Sequence, residues 1–157
     1  MTDIQRAARF LYLQKLTFGG KVVGQSFGVS AQGPHGLNGL RIEKTLSAAH
    51  MRLARTTIEH LDWAACVARY DRPETLFYCD PPYWQTEGYG VDFGIEQYDR
   101  LAELARTIKG RMLISVGDIP EMRRAFKGLA MDRVAVMYNP AKAEHRRQMG
   151  ELVIRNW

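Results

Sequence analysis

Apolar positions recur at helical spacing over residues 4–16, where Ala7, Phe10, Leu11 and Leu13 are interleaved with Arg6, Arg9 and Lys15, and this predicts an amphipathic helix. Gly19-Gly20 ends it, short β-branched stretches around Gly24 predict a small hairpin over residues 21–29, and residues 32–39 read as a loop. A second helix is expected over residues 41–55, with Ile42, Leu46, Ala49 and Leu53 on one face. The period then shortens. Residues 56–61 are β-branched and partly alternating, which predicts a strand, and Asp62 is positioned to cap a short helix running through Ala68. Leu76-Phe77-Tyr78-Cys79 is a compact apolar run between Arg72-Pro73-Glu74 and Asp80-Pro81-Pro82, the pattern of a buried parallel strand. A helix over residues 95–109 follows, with Ile95, Tyr98, Leu101, Ala102, Ala105 and Ile108 as its buried stripe and Gly110 as the residue beyond its end. Residues 112–116 read as another buried strand, Asp118 as the cap of a helix holding Met122 and Phe126, and Gly128 as its stop. Strands over residues 133–138 and 151–156 close the chain, joined by a basic polar loop with no helix, so they are expected to be antiparallel neighbours. Alternation of strand and helix from residue 56 to 128 indicates a three-layer α/β sheet.

At 157 residues the chain suits one unit of ordinary size. With 46% hydrophobic and 25% charged residues it has the composition of a folded protein, so wholesale disorder is not expected. Its apolar runs are too short to span a bilayer and its N-terminus lacks the basic-then-apolar pattern of a signal peptide, so no membrane role or export is expected. Two cysteines, Cys66 and Cys79, make no disulfide framework, and cytoplasm is the expected compartment. His35, His50, His60 and His145 have no ligand-like spacing, and no metal is expected.

Charge changes the picture because it is uneven. Residues 1–60 hold eight basic and three acidic side chains, a surplus of five that equals the net charge of the whole chain. A positive field confined to one segment suits a polyanion, because Lys and Arg displace condensed counterions from phosphates; a merely solvated surface is the alternative.

The informative run is Leu76-Phe77-Tyr78-Cys79-Asp80-Pro81-Pro82-Tyr83-Trp84. In an open α/β sheet the functional crevice lies beyond the carboxyl ends of the strands, where Asp80 and its successors are expected. Two consecutive prolines stiffen the turn and remove two N–H donors, leaving acceptors, an acid and two aromatics. Such a set suits a planar substrate with an exocyclic amine: the Asp80 carboxylate and Pro81 carbonyl each accept one N–H while Tyr83 stacks on the ring. A rigid, merely structural loop is the alternative.

In three places the sequence resembles the Dam-like DNA adenine-N6 methyltransferases, many of them phage-encoded. Asp80-Pro81-Pro82-Tyr83 is similar to their catalytic motif, and Asp at its first position favours adenine, since relatives acting on cytosine N4 begin with Ser and those acting on glutamine with Asn. Residues 6–15, RAARFLYLQK, with Phe18-Gly19-Gly20 after them, resemble the R-A-x-x-F-x-Y-L-N-[KR] helix and F-N-G turn that open the family's DNA-recognition part. Residues 151–157, ELVIRNW, resemble its closing E-L-L-I-x-N-[YF] strand. The resemblance implies an α/β chain with an incomplete Rossmann-like methyltransferase sheet, carrying a helical and hairpin DNA-recognition segment over residues 1–55 and a catalytic subdomain over residues 56–157.

The implied activity is site-specific transfer of a methyl group from S-adenosylmethionine to an adenine flipped out of double-stranded DNA. Asp80, Pro81, Pro82 and Tyr83 are the implied catalytic residues; Asp80, Asp62 and Trp63 are the cofactor candidates. Lys15, Lys21, Arg41 and Lys44 are the DNA-binding candidates by charge and position, and His145-Arg146-Arg147 is a further basic group before the last strand. Cys79 has no role as a nucleophile in this chemistry and is expected to pack. The family's glycine-rich F-x-G-x-G loop, and the acid that follows it, should precede the region where the chain starts. The Phe18-Gly19-Gly20 segment is no substitute, because a helix precedes it where a strand is needed. In the family two strands stand between those matching residues 56–61 and 76–79, so the latter is expected to have an open edge and an uncovered face. Something is then expected to fill that gap: a second polypeptide or self-association completing the sheet or, where the sequence is truncated, the missing N-terminal half. The alternatives are a catalytically silent DNA-binding remnant and, from another class, a small-molecule α/β enzyme.

Overall fold

The computed structural model describes residues 1–17, 38–84, 93–138 and 147–157. Among these residues the chain forms two compact units, one over Met1–Glu59 and the other over the rest. The first holds helix α1 (Asp3–Leu16), a 3-10 turn (Gly39–Arg41) and helix α2 (Ile42–Leu53). Thr2 starts α1 with a capping box: its backbone N–H donates to the Gln5 side chain at 2.9 Å while its hydroxyl accepts from the Gln5 N–H at 3.3 Å. Both helices match the periodicity, but neither buries a residue; Phe10 is 59% exposed. Their apolar stripes find no cover among the described residues. The hairpin expected over residues 21–29 lies outside the described residues.

The second unit contains α3 (Trp63–Tyr70), β1 (Leu76–Cys79), α4 (Ile95–Thr107), β2 (Arg111–Gly117), α5 (Pro120–Ala125), β3 (Ala130–Tyr138) and β4 (Arg147–Arg155). The sheet order is β1-β2-β4-β3: β1 and β2 are parallel, and β4 runs antiparallel to both β2 and β3. Strand alternation places Phe77, Met112, Ile114, Val116, Leu152 and Ile154 on one face. Against it pack Val67 of α3, Tyr98, Leu101, Ala102 and Ala105 of α4, and Met122 and Phe126 at α5, forming one core. Leu76, Tyr78 and Val134 are exposed on the opposite face, so the described residues make two layers and the expected third has no counterpart among them. No helix among them is long and apolar enough to cross a membrane.

Several local expectations are corrected. Residues 56–61 form no strand, and Ile58 is 79% exposed. β-branched composition favours a strand only where a neighbour offers a ladder, and no described strand pairs there. β1 is parallel as expected but not buried as its apolar run predicts: among the described residues it is an edge strand bonded to β2 alone, with Leu76 63% and Tyr78 65% exposed, the open edge and uncovered face that the family resemblance implies. Gly110 is not a left-handed helix terminator. α4 ends at an extended Ile108, and Asp71 accepts from the N–H groups of Lys109 and Gly110. A Cβ on Gly110 would lie 2.7 Å from the Thr75 carbonyl oxygen and 2.9 Å from that of Arg72, so glycine is required for close backbone approach. Gly128 does adopt a positive φ, 93°, where α5 gives way to β3. Asn156 ties the chain end to β2, accepting from the Met112 N–H at 2.8 Å and donating to the Gly110 carbonyl at 3.1 Å.

Asp118 does not cap α5; it pairs with Arg123 at 2.6 Å and Arg133 at 2.9 Å. Its own N–H donates to the Gly150 carbonyl, and a Cβ on Gly150 would press on this cluster. The hydrogen bond from Arg123, aided by Arg133, holds the Asp118 carboxyl below its ordinary value against the opposing effect of burial. A folded-state value below the unfolded one stabilises the fold above the unfolded value, about 4, and the contribution is lost as pH falls through the lowered folded value. Asp118→Asn is therefore expected to lower the thermal midpoint at pH 7, by an amount that shrinks below about pH 4 as the wild-type carboxyl is itself protonated. Circular-dichroism melts across that range check it, and an equal difference at every pH would refute the ion-pair origin.

Candidate active site

Because β1 and β2 are parallel, their carboxyl ends share one edge of the sheet, and the chain leaves β1 through Asp80-Pro81-Pro82-Tyr83. The prolines hold φ at about −65° and carry no N–H, so neither adds an unpaired donor to the turn. Asp80 is exposed at its head, and Pro81, Pro82 and Tyr83 are half-buried. Two side chains fasten it. The hydroxyl of Tyr98, buried on α4, donates to the Pro82 carbonyl. The Tyr83 hydroxyl donates to Glu151 Oε1 on β4 at 2.8 Å, and the same oxygen accepts from Ser115 on β2.

The turn contributes to two cavities. One, of about 410 Å³, is lined by Trp63, Cys66, Phe77, Asp80, Pro81 and Phe93 among others. The second, of about 220 Å³, is lined by Tyr83, Trp84, Tyr98, Ile119, Met122 and Glu151 among others. The structure thus brings Trp63 and Asp80 to one wall although 17 positions separate them. Trp63 is held firmly. Its indole N–H donates to Gln97 at 3.1 Å, the Arg100 guanidinium lies 5.1 Å from its ring centre, and Phe93 is tilted against it at 6.4 Å. Phe93 in turn meets Tyr98 edge to face at 5.0 Å.

Asp62 is engaged elsewhere: its Oδ1 accepts from the N–H groups of Ala64 and Ala65, which starts α3, and it is not among the residues lining the Asp80 cavity. Burial, with the Cys66 thiol adding to it, pushes the Cys79 thiol up to about 11. It therefore stays protonated near neutral pH, consistent with packing rather than nucleophilic attack. Burial first, then Glu151, pushes the Tyr83 phenol up to about 12, so it remains a donor.

Lys15 is exposed in the last turn of α1, Arg41 is exposed at the N-cap of α2, and Lys44 is exposed in its first turn. All three belong to the first unit. Lys21, His145 and Arg146 lie outside the described residues; Arg147 begins β4. Sequence reasoning missed Glu151 and Ser115, and it read Tyr98 only as a core residue. Glu151 heads the run ELVIRNW, but its partner Tyr83 is 68 positions away, and no periodicity connects them.

Comparison with known proteins bears on this arrangement. The family model described as D12 class N6 adenine-specific DNA methyltransferase matches residues 1–143. None of the curated proteins matches the chain significantly. The match takes in α1, α2, the Asp80-Pro81-Pro82-Tyr83 turn and the sheet as far as β3, over nine-tenths of the sequence as a continuous span. A chain with a parallel β1–β2 pair, a D-P-P-Y turn at its carboxyl end and that extent of agreement belongs to the D12 class N6 adenine-specific DNA methyltransferase family.

Proposed function

We propose that the chain is the catalytic and target-recognition part of a site-specific DNA adenine-N6 methyltransferase that uses S-adenosylmethionine. The observation that carries this reading is the Asp80-Pro81-Pro82-Tyr83 turn at the carboxyl end of β1, open to a cavity with aromatic walls. An adenine flipped from double-stranded DNA trades stacking in the duplex for stacking on Tyr83. Its exocyclic N6 is a weak nucleophile because the lone pair is delocalised into the ring. The Asp80 carboxylate accepts one N6–H and the Pro81 carbonyl the other, which favours a pyramidal nitrogen whose lone pair is available. As the new N–C bond forms, the methyl's bond to the sulfonium sulfur would break with its electron pair going to sulfur, which leaves as a neutral thioether, and one N6 proton is given up toward Asp80 or water.

The cavity beside the turn fits the cofactor's chemistry: Trp63, Phe77 and Phe93 offer flat apolar surface and Asp80 a negative charge. Trp63, Asp80 and Pro81 are the residues of this chain that would hold S-adenosylmethionine, which supplies an electrophilic methyl group on a positively charged sulfur. Asp62, busy as a helix cap through one oxygen, is the weaker of the cofactor candidates. Residues 1–55 serve as the DNA-recognition segment, with Lys15, Lys21, Arg41 and Lys44 meeting phosphates, and residues 56–157 as the catalytic subdomain. The rest of the cofactor site is supplied from outside these residues, by a further segment or a second polypeptide, and either of these or a second copy would complete the sheet by pairing with β1. Its one-sided hydrogen bonding and its exposed Leu76 and Tyr78 support that part of the reading.

The test is transfer of labelled methyl from S-adenosylmethionine to adenine-containing duplexes, with the chain alone and with the polypeptide encoded next to it. Label on adenine N6 is the expected result. Salt-sensitive DNA binding with no cofactor binding and no transfer under either condition would leave the silent DNA-binding remnant. Turnover of a free small molecule without DNA affinity would point to another enzyme class.

A further inference from the structure

Glu151 has no part in the chemistry above, yet two side chains from different elements converge on it. Tyr83 and Ser115 both donate to its Oε1, and Ser115, 6% exposed, is the one buried polar residue among those described. Glu151 lies across the β2–β4 ladder from Gly117, where an added Cβ would meet nothing within 4 Å, and both residues line the cavity of about 220 Å³ beside Tyr83. The carboxylate therefore stands at the margin of open space with one oxygen committed to protein donors.

The prolines fix the backbone before Tyr83 but leave its two side-chain torsions free. A stacking ring must offer one face at one angle, and an anchor at its far end sets both torsions. A hydroxyl donating to a carboxylate is among the stronger hydrogen bonds, and a neighbour such as Ser115, itself buried, keeps the acceptor from swinging away. We propose that Glu151 is a positioning residue that orients the Tyr83 ring for the base, with Ser115 holding Glu151 in place. This rests on the reading of Tyr83 as the stacking residue. Tyr98 also fastens the turn, through the Pro82 carbonyl, so Pro82 and Tyr83 are each tied to another element, α4 and β4.

The test uses the full chain under the conditions that give wild-type transfer. Glu151→Gln keeps an acceptor oxygen and is expected to stay within about threefold of wild type, whereas Glu151→Ala lowers kcat by roughly 10- to 100-fold with a smaller change in KM for DNA, the size of loss that misplacement of a reacting partner produces. Glu151→Ala combined with Tyr83→Phe should be no worse than the poorer single variant, because both remove one contact. Carbon-labelled tyrosine followed by NMR supplies a readout independent of turnover: in Glu151→Ala the Tyr83 phenol should titrate below about 12, because the Glu151 carboxylate is among the groups that raise it. An unmoved Tyr83 titration in folded Glu151→Ala, or losses that simply add in the double variant, would overturn the proposal. A Tyr83 resonance that responds in a protein transferring no methyl to adenine would support the positioning contact and overturn only the reading of the reaction.

Discussion

Asp80→Ala is expected to lower methyl transfer to adenine by at least about 100-fold while leaving DNA affinity near wild type, the range lost when a group that stabilises charge developing in the transition state is removed. The side chain is exposed at the head of the turn and lines the cavity shared with Trp63, so truncation removes chemistry without opening a hole in the core. Asp80→Asn should fall between the two, since an amide oxygen still accepts N6–H but carries no charge. Single-turnover rates on a duplex containing the target adenine, paired with binding isotherms, make the measurement. Transfer within about threefold of wild type in Asp80→Ala would remove Asp80 from the catalytic set, because an essential acceptor is worth more than that.

Phe126→Ala is expected to cost about 3–5 kcal/mol, a large share of the roughly 5–15 kcal/mol that stabilises a domain. Phe126 is fully buried, and its N–H closes α5 on the Met122 carbonyl. α5 has six residues, too few to persist alone, so Met122 and Phe126 are what hold it against β2 and β4. Urea unfolding should show a midpoint lower by about 1 M or more, given the usual slope of roughly 1–3 kcal/mol per M. Phe10→Ala is the control: that ring is 59% exposed, and its loss should change stability by under about 0.5 kcal/mol. Equal effects at the two positions would contradict the core as described.

Elements with strong local signals were legible in the sequence. The helices at Asp3–Leu16, Ile42–Leu53, Trp63–Tyr70 and Ile95–Thr107 follow from spacing and, at Asp62, from a cap, because a helix satisfies its hydrogen bonds within its own segment. The antiparallel β3–β4 pair follows from the lack of a helix between them. Residues 56–61 mislead because a strand needs a partner that local composition cannot supply. Asp118 misleads for a related reason: an acid before a helix reads as a cap, and here two arginines from α5 and β3 outcompete the helix N–H groups.

The sequence by itself determined the D-P-P-Y turn, its place after a strand, the family and the concentration of positive charge before residue 60. These depend on neighbours along the chain. Only the tertiary structure decided that Trp63 shares a cavity with Asp80 and that Glu151 anchors Tyr83 from 68 positions away. Each of these is a contact between segments distant in sequence. Such contacts are set by strand order and by which face of each strand the core covers, and neither is recorded in the local pattern of side chains.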